Sequence, residues 1–334
     1  MRSDLPPLRH REPPAPLRER PQPSEHQPVT NIQWTEQTWN PTTGCDRISP
    51  GCTNCYALGM AKRLKGMGSA KYQTDGNPRT SGPGFGIATH SDAFREPLRW
   101  RKPRRVFVNS MSDLFHPGIS TPDLHLIFGV MAATPQHSYQ TLTKRHGRMR
   151  SLLNDPQFEH MARHRAEQVF GRNPAASWTW PLPNVWLGVS VEDQKRADLR
   201  IPALAQTPAA VRFLSCEPLI GPVRLNRGHA HCPTHDFAGG FCSSPCPDLI
   251  LPDWIIIGGE SGPGARPFET QWAADLIEDA RLARAAPFVK QLGSVWARDT
   301  YWAGKSVAAH RDTKGGDPQY WPTDLRIREY PDTK

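Results

Sequence analysis

Cys45, Cys52 and Cys55 fall within "TTGCDRISPGCTNCYAL" (residues 42–58), spaced C-x6-C-x2-C, with Tyr56 directly after the last. The loop around them is rich in Gly, Pro, Ser, Thr and Asn, which is poor core material, so their thiols point to metal or redox chemistry. A structural zinc normally closes with four protein ligands, often as two C-x2-C pairs, and here one pair has a single distant companion. A catalytic zinc keeps water in its fourth position, although three thiolates make a poor Lewis acid. An iron-sulfur cluster held by three thiolates leaves one iron without a protein ligand, free to take a substrate or cofactor. The residues alone leave all three readings open.

A second group stands in "HCPTHDFAGGFCSSPCPD", where Cys232, His235, Cys242 and Cys246 lie within fifteen residues, with His229 and His231 as alternative ligands. Four such ligands in a Gly- and Pro-rich stretch with little apolar content suit a structural zinc that staples a small insertion lacking its own core. Unliganded loop cysteines and an auxiliary iron-sulfur cluster are the competing readings. Cys216, inside an apolar run, is expected in the core.

These residues need elements to position them. From residue 31 onward, apolar runs recur and each stops at polar residues: "RVFVNSMSD" (105–113), "SYQTLTKR" (138–145), "VWLGVSVED" (185–193), "VRFLSCEP" (211–218), "WIIIGGES" (254–261) and "PFVKQLG" (287–293). Near-continuous Val, Ile, Leu and Phe bounded by turn residues read as strands buried on both faces of a parallel sheet. "IQWTEQTWNPTTG" adds a first strand and turn before Cys45. Helical patterns lie between strands. In "STPDLHLIFGVMAATP", Thr121 is the expected cap and Pro122 suits the first turn; Thr270 opens a similar stretch, and after Cys55 the residues Ala57, Met60, Ala61 and Leu64 share one face.

Strand alternating with helix predicts an α/β fold, a (β/α) barrel or an open doubly wound sheet; a partial barrel of six to seven parallel strands is the reading adopted. In either architecture ligands sit at the carboxyl ends of the strands. The polar endings then form a candidate rim: Asn109, Ser110, Ser112, Asp113; Thr141, Thr143, Lys144; Ser190, Glu192; Ser215, Glu217; Glu260, Ser261; Lys290, Gln291. Glu217, Glu260 and Lys290 are its candidate catalytic groups. Thiolates at a helix start on that rim are expected to have a lowered pKa.

The chain has 334 residues and 41 Lys and Arg against 32 Asp and Glu, a net charge of +9. That balance suits an anionic partner such as nucleic acid, or a basic solvated surface. Residues 1–30 are expected to be a disordered tail: positions 1–29 carry eight prolines and almost no large apolar side chains. The barrel is expected over 31–334, with the Cys/His insertion at 226–252. No apolar run is long enough for a membrane span and no signal peptide is evident, so a cytoplasmic location is expected, where clustered thiols serve as ligands rather than disulfides. "RWRKPRR" (99–105) precedes a strand and belongs opposite the rim, whereas "KRHGRMR" (144–150) follows one and belongs on it. Trp34, Trp39, Trp178 and Trp180 are read as core or loop anchors, with base stacking as the alternative.

"WTEQTWNPTTGCDRISPGCTNCYA", "VNSMSDLFH", "LGVSVED", "LSCEPLIGPV", "IIGGESGPGARP" and "FVKQLG" together resemble the uncharacterised, largely phage- and prophage-associated three-cysteine proteins of a domain-of-unknown-function family, itself similar to the radical S-adenosylmethionine (SAM) superfamily. The resemblance runs from about residue 31 to 295. It implies a [4Fe-4S] cluster on Cys45, Cys52 and Cys55, SAM on the open iron, and reductive SAM cleavage to a radical that takes hydrogen from a substrate. It also implies an electron donor and a genomically linked partner protein. SAM contacts are assigned to Asn109, Ser110, Ser112, Asp113 and Ser190, while Gly258, Gly259 and Glu260, which resemble a SAM-amino motif, are cofactor or substrate contacts. The common spacing in that superfamily is C-x3-C-x2-C, so here the segment before Cys52 must bulge further around the cluster. The expected function is therefore a radical SAM-like enzyme acting on nucleic acid or a nucleotide. The alternative is a non-catalytic, zinc-stabilised nucleic-acid-binding protein.

Overall fold

Seven runs of β-branched and aromatic residues pair in strict sequence order into one parallel sheet. A computed structural model describes residues 30, 32–170, 179–225 and 252–332. Its strands are β1 (Gln37–Trp39), β2 (Arg105–Val108), β3 (Ser138–Thr143), β4 (Val185–Ser190), β5 (Val211–Cys216), β6 (Trp254–Gly258) and β7 (Ala286–Gln291). Each neighbouring pair is parallel, and the sheet curls into a half-barrel with β1 and β7 at its edges. Every expected strand is present, and the family of alternatives narrows to a partial barrel. The helices are α1 (Tyr56–Gly66), α2 (Thr121–Ala132), α3 (His146–Leu153), α4 (Pro156–Phe170), α5 (Gln194–Ala205), α6 (Thr270–Leu282) and α7 (Ser294–Asp299). The first cap of α2 is Ser120 rather than Thr121, because the Ser120 hydroxyl accepts from the Asp123 amide at 3.2 Å.

The two faces of the sheet follow the period of two along each strand. On the outer face Val106, Val108, Tyr139, Leu187, Val189, Leu214, Ile255, Ile257 and Val289 pack in the main core with Leu124, Ile127 and Phe128 of α2 and Leu276 and Ile277 of α6. Cys216 belongs to this core and is fully buried, as its place in an apolar run predicts. The inner face carries Phe107, Trp186, Phe213, Trp254 and Phe288, joined by Trp34. Trp254 is the hub of this aromatic floor, with ring centroids 6.1 Å from Trp34, 5.9 Å from Trp186 and 5.9 Å from Phe288. Such edge-on contacts add to the large area each ring buries.

The chain's C-terminal segment finishes the foot of the half-barrel. Phe288 pairs antiparallel with Arg328, covering the exposed edge of β7. Tyr330 stacks on Trp254 at 5.5 Å, lies under the Arg105 guanidinium at 4.1 Å and donates to the Gln33 carbonyl at 3.3 Å. It thereby ties the two edges of the curled sheet together. Arg105 also pairs with Glu36, so the "RWRKPRR" run lies at this foot, opposite the rim, as expected. Trp34 and Trp39 are core residues and Trp180 is half-buried against Phe128 and Phe158; Trp178 lies outside the described residues. The tail 1–29, and Cys232, His235, Cys242 and Cys246 with most of the expected insertion, also lie outside them. Among the described residues, no helix is long and apolar enough to cross a membrane.

Candidate functional site at the strand ends

The inward positions above the aromatic floor turn polar as the strands end. Lys144 follows β3 and donates to the Ser190 hydroxyl of β4 at 2.9 Å. Glu217 follows β5, and its Oε2 lies 3.3 Å from the Lys290 ammonium of β7. Two of the three candidate catalytic groups thus meet. The other oxygen of Glu217 and the hydroxyl of Ser215 are buried with no hydrogen-bond partner, an arrangement that proteins seldom leave idle. Glu260 stands apart from this pair. Its carboxylate accepts from the Arg266 side chain at 2.5 and 2.8 Å, from the Arg266 amide at 2.9 Å and from Asn54 at 3.0 Å. Burial raises its pKa, but these donors outweigh burial and hold it below the usual carboxylate range.

The side chains of the residues after β2, assigned on sequence to SAM, fasten the approach to the cysteine loop. Asn109 donates to the Thr42 hydroxyl at 2.8 Å, Ser110 to Asn40 at 3.2 Å and Ser112 to the Gly44 carbonyl at 2.8 Å. Gly44 adopts φ +92°, and a side chain there would strike the Gly86 carbonyl, at 2.1 Å from an ideal Cβ. Only glycine places Cys45 beside Asp113 in this way. Asp113 is buried and accepts from the Thr143 hydroxyl at 2.6 Å, the Phe115 amide at 3.1 Å, the Lys144 amide at 3.0 Å and Arg145 at 2.9 Å.

Arg145 is the residue that the sequence reading passes over. The same guanidinium nitrogen that meets Asp113 donates to the Cys45 sulfur at 3.3 Å, and its second nitrogen donates to the Asp46 carbonyl at 3.3 Å. Its place in "KRHGRMR" signals only that it lies on the rim; the contact with a cysteine 100 residues away is not written in the sequence. Arg148 of the same run is structural, donating to the His116 and Ile119 carbonyls.

The six-residue spacer between Cys45 and Cys52 has a physical account. Asp46 accepts from the Thr80 and Ser81 hydroxyls at 2.5 and 2.7 Å and from His116 at 3.0 Å. Ser49 then reaches Glu192 after β4, donating at 2.7 Å, and Gly51 presses its backbone on that carboxylate, an ideal Cβ lying 2.3 Å from Glu192 Cγ. Glu192 is fully buried and also accepts from Arg200 at 2.8 Å, with Lys144 3.5 Å away. Beyond Cys52, Asn54 binds Glu260 and the Gly264 carbonyl after β6, and Tyr56 donates to the Ser110 carbonyl after β2 at 2.5 Å. The loop therefore spans the mouth of the half-barrel, anchored on the ends of β2, β3, β4 and β6.

Cys45, Cys52 and Cys55 are free thiols, and Cys52 lies within electrostatic reach of each of the other two. Burial pushes Cys45 up to about 12, with the Asp113 charge adding to it, and Arg145 opposes both. Burial also raises Cys55 despite its position as the cap of α1 and the nearby Lys144 charge. The expected lowering at the helix start is not found for Cys55, where burial is the largest influence. Among the described residues, no group of three or more His, Cys, Asp or Glu is drawn close enough to hold a single metal ion.

No curated protein and no solved structure matches the chain. Residues 29–321, the half-barrel and its cysteine loop, match the family described as protein of unknown function (DUF5131), and the chain belongs to that family.

Proposed function

We propose that this protein is a radical SAM-like iron-sulfur enzyme that acts on nucleic acid or a nucleotide. The observation that carries the reading is the placing of three free thiols on one loop at the strand ends of a parallel half-barrel. Three thiols on one loop suit an iron-sulfur cluster with one open iron, whereas a structural zinc normally closes with four protein ligands. Cys45, Cys52 and Cys55 would hold such a cluster, which when bound supplies one electron for the reductive cleavage of SAM. Arg145 steadies the first thiolate, and Asp113 steadies Arg145. Lys144 and Ser190, which bond each other at the strand ends, and Gly258 and Gly259 are the contacts this reading gives to cofactor or substrate. Glu217, with one unpartnered oxygen, is placed to accept a proton from a substrate, while Lys290 offers ammonium protons beside it. The net charge of +9 supports a phosphate-bearing substrate.

An electron donor, a genomically linked three-cysteine-motif partner protein, a cytoplasmic setting and zinc on Cys232, His235, Cys242 and Cys246 complete the reading on sequence grounds. Anaerobic reconstitution tests it. The wild type should take up iron and sulfide and release 5′-deoxyadenosine from SAM once reduced, and Cys45→Ala should lose both properties. Zinc alone, with salt-dependent nucleic-acid binding that survives Glu217→Gln and Lys290→Met, would sink the enzyme reading in favour of a binding protein.

A further inference from the structure

A hairpin in the C-terminal segment carries two large rings in the open. Tyr301–Trp302 pairs antiparallel with Lys305–Ser306 around a two-residue turn. Both turn residues take left-handed backbone, Ala303 at φ +47° and Gly304 at φ +79°, which matches the twist of the paired strands. Tyr301 is 72% exposed and Trp302 is 50% exposed. Neighbouring residues of a strand face opposite ways and paired residues share a face, so Trp302 stands beside Lys305 and Tyr301 beside Ser306.

The Trp302 ring is held by its neighbours without being covered by them. Tyr320 meets it edge-on with centroids 5.8 Å apart, His310 stacks on Tyr320 at 5.7 Å, and His310 Nε2 lies 3.0 Å from the Trp302 carbonyl. The charges around these rings are engaged unequally. Asp312 accepts from the Gly316 and Asp317 amides, Asp317 accepts from the Gln319 amide, and Asp299 is paired with Arg298. Lys305, Arg311 and Lys314 are exposed, with no ion pair or side-chain hydrogen bond among the described residues. Flat rings interleaved with unengaged cations are what a phosphate-linked chain of bases needs.

We infer that this hairpin is a stacking platform for single-stranded nucleic acid. An unpaired base lies on the open face of Trp302, and the phosphate next to it meets the Lys305 ammonium. Every base has a flat face, so such a platform takes strands with little preference for sequence. A duplex fits poorly, because its bases already stack on one another. A proline-rich peptide also covers exposed rings, but it has no use for the three free cations. Helix α7 joins the platform to the rim: the Ser294 hydroxyl accepts from the Gly262 amide at 3.1 Å, and the Ser294 amide donates to the Glu260 carbonyl at 2.9 Å. The six residues of α7, about 9 Å in length, therefore separate the hairpin from the ends of β6 and β7. The inference rests on the nucleic-acid part of the proposed function and needs nothing bound to the cysteines. Base stacking thus falls to Trp302 rather than to Trp34 or Trp39, which are core residues.

Fluorescence anisotropy with labelled oligothymidylate and oligouridylate tests the platform on the as-purified protein. The wild type should bind the single strands, and bind the oligothymidylate more weakly once it is paired with oligodeoxyadenylate. Trp302→Ala should weaken single-strand binding by about tenfold, while Trp302→Phe, which keeps a flat ring on the hairpin, should retain most of it. Lys305→Gln should lower the slope of log affinity against log salt by about 0.7, the share of one phosphate contact on a single strand. Binding confined to one of the two strands, and lost in Trp302→Ala, supports the platform equally and says which sugar it takes. Equal affinities for wild type and Trp302→Ala overturn the inference and leave the nucleic-acid reading in place, whereas a wild type that binds neither strand overturns both. Loss of a proline-rich peptide, or of a self-associated dimer, in Trp302→Ala with oligonucleotide affinity unchanged also overturns it.

Discussion

The foot and the rim of the half-barrel are built from the same seven strands, yet they are held by opposite physics. At the foot, Trp34, Phe107, Trp186, Trp254, Phe288 and Tyr330 fill the inner face with rings. At the rim, two or four residues further along, the same inward positions hold Lys144, Ser190, Ser215, Glu217 and Lys290. Apolar contacts at the foot are non-directional and tolerate small shifts. Buried charges at the rim hold only while each partner is in place, because an unpaired buried charge is costly. The foot therefore supplies stability and the rim supplies position, and the cysteine loop depends on the second.

Breaking each end by one residue separates these roles. Trp254→Ala should cost about 3–5 kcal/mol, and Arg145→Met about the same by leaving Asp113 buried without its ion pair. Urea unfolding should show both losses. Hydrogen exchange should distinguish them: faster across the whole sheet for Trp254→Ala, but concentrated in residues 45–55 for Arg145→Met. A uniform response to both would erase the distinction between foot and rim.

A gentler change probes the loop's seat on Glu192. Gly51→Ala should destabilise by about 1–3 kcal/mol, because its Cβ would overlap the buried carboxylate. Gly59→Ala, on exposed α1 with open space around it, should stabilise by up to about 1 kcal/mol. The same substitution with opposite signs, read from thermal midpoints, would show that the seat rather than the loop's composition sets the demand for glycine.

The smallest expected effect is on pH dependence. Burial raises the Glu192 pKa, but Lys144, Arg200 and Ser49 together hold it below the usual range. A folded-state pKa below the unfolded one, about 4.3 for Glu, contributes stability that is complete above that pH and lost as pH falls through the folded value. The rim should thus loosen in acid, below about pH 4.3, while the Trp and Phe rings of the foot carry no titrating group. Glu192→Gln should flatten this acid limb. An unchanged limb would place the acid sensitivity elsewhere, with Glu260 the next group to test.

Much of the fold was legible because it is written locally. Apolar runs such as "WIIIGG" and "VWLGVS" state their own burial on both faces, and their polar ends mark the rim. The three cysteines were legible as a cluster because they share one loop. Their surroundings were not. Arg145 reaches Cys45 from β3, Glu192 receives Ser49 from β4, and Asn54 binds Glu260 across 206 residues. No periodicity encodes such contacts.

By itself the sequence determined the parallel strands, the core faces and the identity of the thiols, since each depends on residue type and short spacing. Only the tertiary structure decided that the spacer arches over the mouth, that Glu260 serves the cysteine loop while Glu217 faces Lys290, and that burial raises the Cys45 and Cys55 thiols. Those outcomes depend on which strand ends become neighbours when the sheet curls, and burial and Coulomb forces act on that proximity rather than on separation along the chain.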